Sequence, residues 1–236
     1  MTHPEPDQYD SIAAAYADMN ETSAANALYE RPAIQAAVGD VDGLAVLDAG
    51  CGAGPLAQWL LDAGARVTAF DGSPAMAALA ARRLGARADV RVADLNQPLA
   101  FLASGSFDLV VASLVLHYLA DWGPPLGELH RVLRPGGRLV FSTHHPTFVW
   151  RTFDRPDYFA TELIEDEWMM GGCPHSVRFY QRPLTAMSHA IAAAGFLIER
   201  ITEPSPGPEF AAADPDAYRR LSAKPWFVVF SLVRPP

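Results

Sequence analysis

Lysine is almost missing from this chain of 236 residues: Lys224 stands alone among 18 basic residues, the rest being arginine. Together with the abundant alanine, that reflects a coding bias and carries no functional message. Basic charge is itself scarce, with 18 Lys and Arg against 27 Asp and Glu and a formal net charge of −9. An acidic surface repels a phosphate backbone, and no basic run interrupts it, which argues against a nucleic-acid partner. Cysteine is rare too. Cys51 and Cys173 form neither a CxxC pair nor a disulfide framework, as expected in a reducing compartment. The longest apolar run, around 109–116, falls far short of the roughly 20 residues of a membrane span. Met1 to Asp10 shows no cationic segment leading into an apolar one, the pattern of a secretory signal. The expectation is a cytoplasmic protein without membrane attachment.

What is present suits one large domain with a sizeable core, since 50% of residues are hydrophobic and 19% charged. Tyr9, Ile12, Tyr16 and Met19 recur at helical spacing and define one face of an N-terminal helix, and a second helix is expected after Pro32. Strands are expected at 44–47, 66–70, 90–93, 107–112 and 138–143. Between them lie helical stretches, one marked by Leu56, Trp59 and Leu60, one capped by Ser73 with Pro74 in its first turn, and one at 125–133. That alternation implies a parallel sheet with helices on both faces. After Pro146 the rhythm breaks. Residues 147–182 hold eight aromatic side chains and two strand-like runs flanking Gly171-Gly172, which predict a hairpin. A helix at 184–194 and strands at 196–202 and 226–233 follow, while 203–225, with five prolines, reads mostly as loop.

The chemistry begins at Val46-Leu47-Asp48-Ala49-Gly50-Cys51-Gly52-Ala53-Gly54, a strand running into a glycine-rich turn. Such a turn lets the backbone approach a ligand where a Cβ would clash, ahead of a helix N-terminus. Asp71 ends the second strand, where an ionised carboxylate accepts both hydroxyls of a ribose. Asp94 ends the third, placed to take the exocyclic amine of adenine.

Adding Phe107-Asp108-Leu109-Val110 and Leu133-Arg134-Pro135-Gly136-Gly137, the ordered set resembles the class I S-adenosylmethionine-dependent methyltransferases, of small-molecule type, over about residues 40–145. The resemblance implies an α/β, Rossmann-like, seven-stranded sheet of order 3-2-1-4-5-7-6, with strand 7 antiparallel; the aromatic stretch after strand 5 is an insertion into that plan. The expected organisation is a single methyltransferase domain over 1–236, with an N-terminal helical lid at 1–40; the inserted substrate cap at 147–182 is read from its own aromatic residues and departs from the family core. The cofactor would be S-adenosyl-L-methionine, leaving S-adenosyl-L-homocysteine as product. Gly50 and Gly52 would lie against its methionine part, Asp71 and Gly72 at the ribose, and Met76 on the adenine face. Asp94 and Leu95 would hold the adenine edge, Ser113 would sit beside the sulfonium, and Tyr16 would close over the top. Asp48 would orient the glycine loop, and Cys51 reads as a small packed residue.

Methyl transfer from a sulfonium is an in-line displacement, so the protein must align the acceptor and exclude water. A hydroxyl or amine acceptor also calls for a base, and histidine has a suitable unperturbed pKa. His117, one turn after Ser113, and His145, after the fifth strand, are the candidates. Alternation sends His144 and His145 to opposite faces; His145, beside Pro146 and the cap, is preferred, with hydrogen bonding to the cap as its structural alternative. In the cap, Trp150, Trp168 and Tyr180 are expected as acceptor-binding walls, and Arg178 as an anchor for an anionic group, or else as part of a salt-bridged surface. His144, His145, Cys173 and His175 have metal-ligand chemistry but not metal-ligand spacing, and no metal is expected. The expected acceptor is a small aromatic or apolar molecule, preferably methylated on oxygen. An NAD-dependent oxidoreductase would share the glycine loop and Asp71, but not Asp94-Leu95 or an antiparallel last strand. A non-catalytic or repurposed cofactor-binding protein would keep every motif.

Overall fold

Strand parity organises the structure, a computed structural model that describes residues 9–236. The parallel strands β1 (Ala45–Ala49), β2 (Arg66–Asp71), β3 (Asp89–Val92), β4 (Phe107–Ser113) and β5 (Leu133–His144) are joined by β8 (Leu197–Thr202) and β9 (Phe227–Val233). The sheet order is β3-β2-β1-β4-β5-β9-β8, with β9 antiparallel to both neighbours. This is the expected order once the two cap strands are left out of the count. Leu47, Val110, Leu139, Phe141 and Phe230 face one way and pack under α5 (Gly123–Val132) and α7 (Leu184–Ala193). Their neighbours Val46, Val111, Val140 and Val229 face the other way, against α2 (Arg31–Val38), α3 (Pro55–Asp62) and α4 (Pro74–Leu84). Both faces are therefore covered, as a parallel sheet demands.

The α4 start follows its sequence signals. Ser73 is the N-cap, its Oγ accepting from the Met76 N–H at 3.2 Å, and Pro74 occupies the first turn. The Ser73 hydroxyl also bonds the Asp10 carboxylate, tying the N-terminal segment to the sheet edge. Ser73→Ala is expected to cost about 1 kcal/mol, seen as a fall of roughly 2–4 °C in a thermal melt.

A 3-10 turn, Asp10–Ile12, leads into α1 (Ala13–Thr22), and a π-helical turn, Asn26–Glu30, runs directly into α2. The second helix thus begins ahead of Pro32, which the first turn tolerates. Tyr9, Ile12, Tyr16 and Met19 do share one side, packed with Met170 and Val177 of the cap. The first eight residues of the expected 1–40 lid lie outside the described residues. The cap itself opens with α6 (Pro146–Thr152), a helix the sequence reading did not anticipate, followed by the antiparallel hairpin β6 (Glu162–Met170) and β7 (Cys173–Gln181). The hairpin turns at Gly171 and Gly172, whose φ angles of 58° and 81° suit glycine.

The loop expected at 203–225 is corrected. It contains α8 (Pro208–Ala213) and α9 (Pro215–Leu221), each with proline in its first turn, where the missing N–H is not needed. Their Phe210, Ala217 and Leu221 pack on Tyr29 and Phe227. No helix among the described residues is long and apolar enough to cross a membrane.

Candidate active site

The turn after β1 is shaped by three glycines in the left-handed region, Gly50, Gly52 and Gly54, with φ of 74°, 55° and 83°. At Gly50 a Cβ would stand 2.4 Å from Val115 Cγ2, so no larger residue fits. The Gly50 and Cys51 N–H groups donate to the Phe70 carbonyl at 2.9 and 3.0 Å, and the Gly52 N–H donates to Asp71 Oδ2 at 2.8 Å. The Ser73 N–H donates to Asp71 Oδ1 at 2.9 Å. Two backbone donors thus fix the Asp71 carboxylate while each oxygen keeps lone pairs for a ligand.

Above the turn lies a cavity lined by every residue expected around the cofactor: Tyr16, Gly50, Gly52, Asp71, Gly72, Met76, Asp94, Leu95 and Ser113. Asp94 Oδ1 accepts from the Asn96 N–H at 2.8 Å, which rigidifies the turn after β3. The Ser113 hydroxyl donates to Glu30 Oε1 at 2.9 Å. Glu30 is buried, accepts from Ser142 as well, and burial pushes its carboxyl up. Glu30 and Arg31 both line the cavity, and sequence reading missed both. The available signal was an acid in the otherwise apolar run Ala27-Leu28-Tyr29. Cys51 is buried against the loop, its thiol pushed up by burial, as a packed residue should be.

Asp48 departs from expectation. The loop takes its hydrogen bonds from Phe70 and Asp71, whereas neither Asp48 oxygen makes a hydrogen bond of good geometry, the Ala57 N–H approaching only loosely. Burial, with Asp71 and Glu30 adding like charge and the Ala57 N–H opposing, pushes its pKa up to about 7. It is an orphan acid on the cavity wall.

A second cavity shares Tyr16, Leu114 and Tyr118 with the first. Leu114 adopts a φ of 51°, a strained conformation for a branched residue, at the junction of the two. Beyond it the walls are aromatic, with Phe148, Phe153, Trp168, Phe179, Trp226 and Phe227. Two imidazoles, His117 and His144, complete the chamber, stacked with centroids 4.2 Å apart and planes 19° apart. Both ring nitrogens of His117 and Nδ1 of His144 lack hydrogen-bond partners. Burial holds His144 down to about 4 and His117 well below the usual range, His144 adding to the latter. Both rings are neutral at pH 7.

His145, the preferred base, is corrected. Its Nδ1 receives the Thr147 N–H at 3.2 Å, capping α6, and its Nε2 meets Glu203 Oε1 at 2.7 Å. β5 runs through His144, one residue past the expected 138–143, and its parity turns His144 inward, while His145 lies beyond the strand and lines neither cavity. Trp168 does line the chamber, but Trp150 is 37% exposed and packs on Tyr158 instead. Arg178 and Tyr180 alternate with Val177 and Phe179 along β7; the latter pair is buried, so the former lie on the opposite face.

The first cavity suits an adenosyl sulfonium amino acid on its own chemistry. Asp71 offers lone pairs to a diol, Met76 and Leu95 offer apolar contact to a flat base, and Asp48 and Arg31 offer opposite charges to an ammonium and a carboxylate. Comparison with known proteins agrees. A family model for the methyltransferase domain matches residues 47–141. Demethylmenaquinone methyltransferase of Thermus thermophilus is 35% identical over 164 residues, covering 65% of this chain and 74% of that one. Malonyl-[acyl-carrier protein] O-methyltransferase of Pseudescherichia vulneris is 36% identical over 137 residues, 56% of this chain, and the match spans 53% of that relative. The crystal structure of an S-adenosylmethionine-dependent methyltransferase from Mesorhizobium loti superposes with a TM-score of 0.70 at 29% identity, covering 91% of this chain and all of that one. With the sheet order, the glycine turn and the cavity already in place, these similarities make the chain a member of the class I S-adenosylmethionine-dependent methyltransferases.

Proposed function

We propose that the chain transfers a methyl group to a small aromatic or otherwise apolar acceptor, with oxygen the preferred receiving atom. The adjacency of the two cavities carries this reading: a polar one suited to the cofactor meets an aromatic one across Tyr16, Leu114 and Tyr118. When bound, S-adenosylmethionine supplies a methyl group already activated on a cationic sulfur. Asp71 holds the ribose, Met76 and Leu95 enclose the adenine, Asp94 takes its amine, and Gly50 and Gly52 leave room for the methionine part. Tyr16 and Tyr118 separate the chambers, and the aromatic walls exclude water from the reacting line.

His117 and His144 are the two buried imidazoles in the lining of the aromatic chamber, which also includes Asn26, Thr152 and Asp166. Being neutral, each presents one lone pair, and a ring nitrogen accepts the acceptor's hydroxyl proton as its oxygen is alkylated. The malonyl relative is by name an O-methyltransferase, which supports oxygen as the acceptor atom. The reaction runs in the cytoplasm on this reading, since both cysteines are free and Cys173 is exposed.

Methyl-labelled cofactor tests the proposal. Label is expected to move to a hydroxylated aromatic small molecule, and His144→Phe is expected to lower kcat about 100-fold while S-adenosylhomocysteine binds as before. Full binding with no label leaving the cofactor for any acceptor would favour the non-catalytic reading instead. Transfer only to a carrier-protein thioester would replace the free small molecule as acceptor.

A further inference from the structure

A third hollow adjoins the aromatic chamber and takes no part in the proposed transfer. It shares Phe148, Thr152 and Trp226 with that chamber. Its lining includes the exposed side chains of Arg151 of α6, Arg220 of α9 and Lys224, and neither Asp nor Glu lines it. Three cations thus converge in a chain whose net charge is −9 and whose single lysine is among them. Elsewhere many arginines are neutralised, Arg87 by Asp62, Arg134 by Asp108 and Arg155 by Glu162. Arg151, Arg220 and Lys224 have no ion pair or hydrogen bond among the described residues.

The wall between chamber and hollow is built of packed rings. Trp226 stands in the wall between chamber and hollow, stacked on Phe227 at 5.3 Å and against Phe148 at 5.1 Å. Its Nε1–H is buried without a hydrogen-bond acceptor. The scaffold is firm on the α9 side, because α8 and α9 are anchored through Phe210, Ala217 and Leu221 on Tyr29 and Phe227.

We propose that this hollow binds an oxyanion, carboxylate or phosphate, carried by the acceptor at the end remote from its methylated atom. The inference rests on the methyltransferase reading for the role of the neighbouring chamber. It defines the acceptor class as an apolar or aromatic body with one anionic terminus. It also relocates the anion anchor: the sequence suggested Arg178 of the hairpin, whereas the cations that meet beside the chamber come from α6 and the α9 end.

The test uses the full chain saturated with S-adenosylhomocysteine and three probes, 1-naphthoate, 1-naphthyl phosphate and the neutral 1-naphthalenemethanol. At least one anionic probe is expected to bind about tenfold tighter than the neutral one, and whichever anion is preferred identifies the terminus. The double variant Arg151→Ala, Lys224→Ala is expected to erase that preference while holding the neutral probe within about twofold and keeping the wild-type melting profile. Equal affinity for all three probes in the wild type, or a preference that survives in the double variant, overturns the proposal. Failure of the wild type to bind S-adenosylhomocysteine would instead sink the methyltransferase reading, a result read in a separate titration.

Discussion

Asp71→Ala is expected to weaken S-adenosylhomocysteine binding by at least about 100-fold in calorimetry, with the fold retained by circular dichroism. The size follows from two losses at one carboxylate. Hydrogen bonds to a charged acceptor are worth about 1.5–3 kcal/mol each, so losing a ribose diol alone accounts for two decades of affinity. The same carboxylate also receives the Gly52 and Ser73 N–H groups, so its removal loosens the turn that shapes the cavity. Asparagine is not expected to rescue. Its NH2 must face one of those two N–H groups, donor against donor, and the remaining oxygen serves fewer partners. Wild-type affinity in Asp71→Ala would remove the ribose from this residue and turn the cofactor around in its cavity.

Much of this cavity was legible because it rests on local signals. Ser73-Pro74 specifies a helix start, three glycines specify the turn, and aspartates at strand ends need only the alternation of buried valine and leucine to be placed. What was not legible depends on which parity faces inward. His144 and His145 were sent to opposite faces, but the facing one is decided by the parity of β5 and by the packing of Phe179 and Phe227 around His144, with His145 taken up as the cap of α6. Arg178 and Tyr180 were misplaced for the same reason, one residue out of phase with Val177 and Phe179. Pro208 and Pro215 read as breakers because proline ends helices as readily as it starts them, and only Asp214, capping α9 at Ala217, hinted otherwise. Glu30 reaches Ser113 and Ser142 from 83 and 112 residues away, a convergence no spacing rule contains.

The pH dependence of the cofactor-free protein provides the second large effect, because buried groups of opposite sign share one window. Asp48 titrates near 7 in the folded protein against 3.8 when unperturbed, so the folded state holds its proton more tightly. The stability linked to it is complete below the lower value and is lost as pH rises through about 7; Glu30 and Asp71, also raised by burial, act in the same direction. His144 behaves oppositely. Its folded pKa of about 4 lies below the usual 6.5, so its contribution is complete above 6.5 and is lost as pH falls towards 4, with His117 following the same direction. The two sets oppose each other between the limits, and the wild-type profile is expected to be shallow there. Asp48→Asn exposes the imidazole limb. The variant is expected to gain up to about 4 kcal/mol at pH 8, where the wild type carries a buried unpaired charge, and to lose about 1.4 kcal/mol per pH unit for each imidazole on acidification. Adding His144→Phe to Asp48→Asn is expected to flatten that limb again. Saturation with S-adenosylhomocysteine reverses the ranking at pH 8: the wild type is stabilised by an ammonium opposite Asp48, and the asparagine variant forgoes that ion pair. Denaturation curves at pH 5 and 8, with and without ligand, read all four corners, and an Asp48→Asn protein stabilised by ligand as strongly as the wild type would place the ammonium elsewhere.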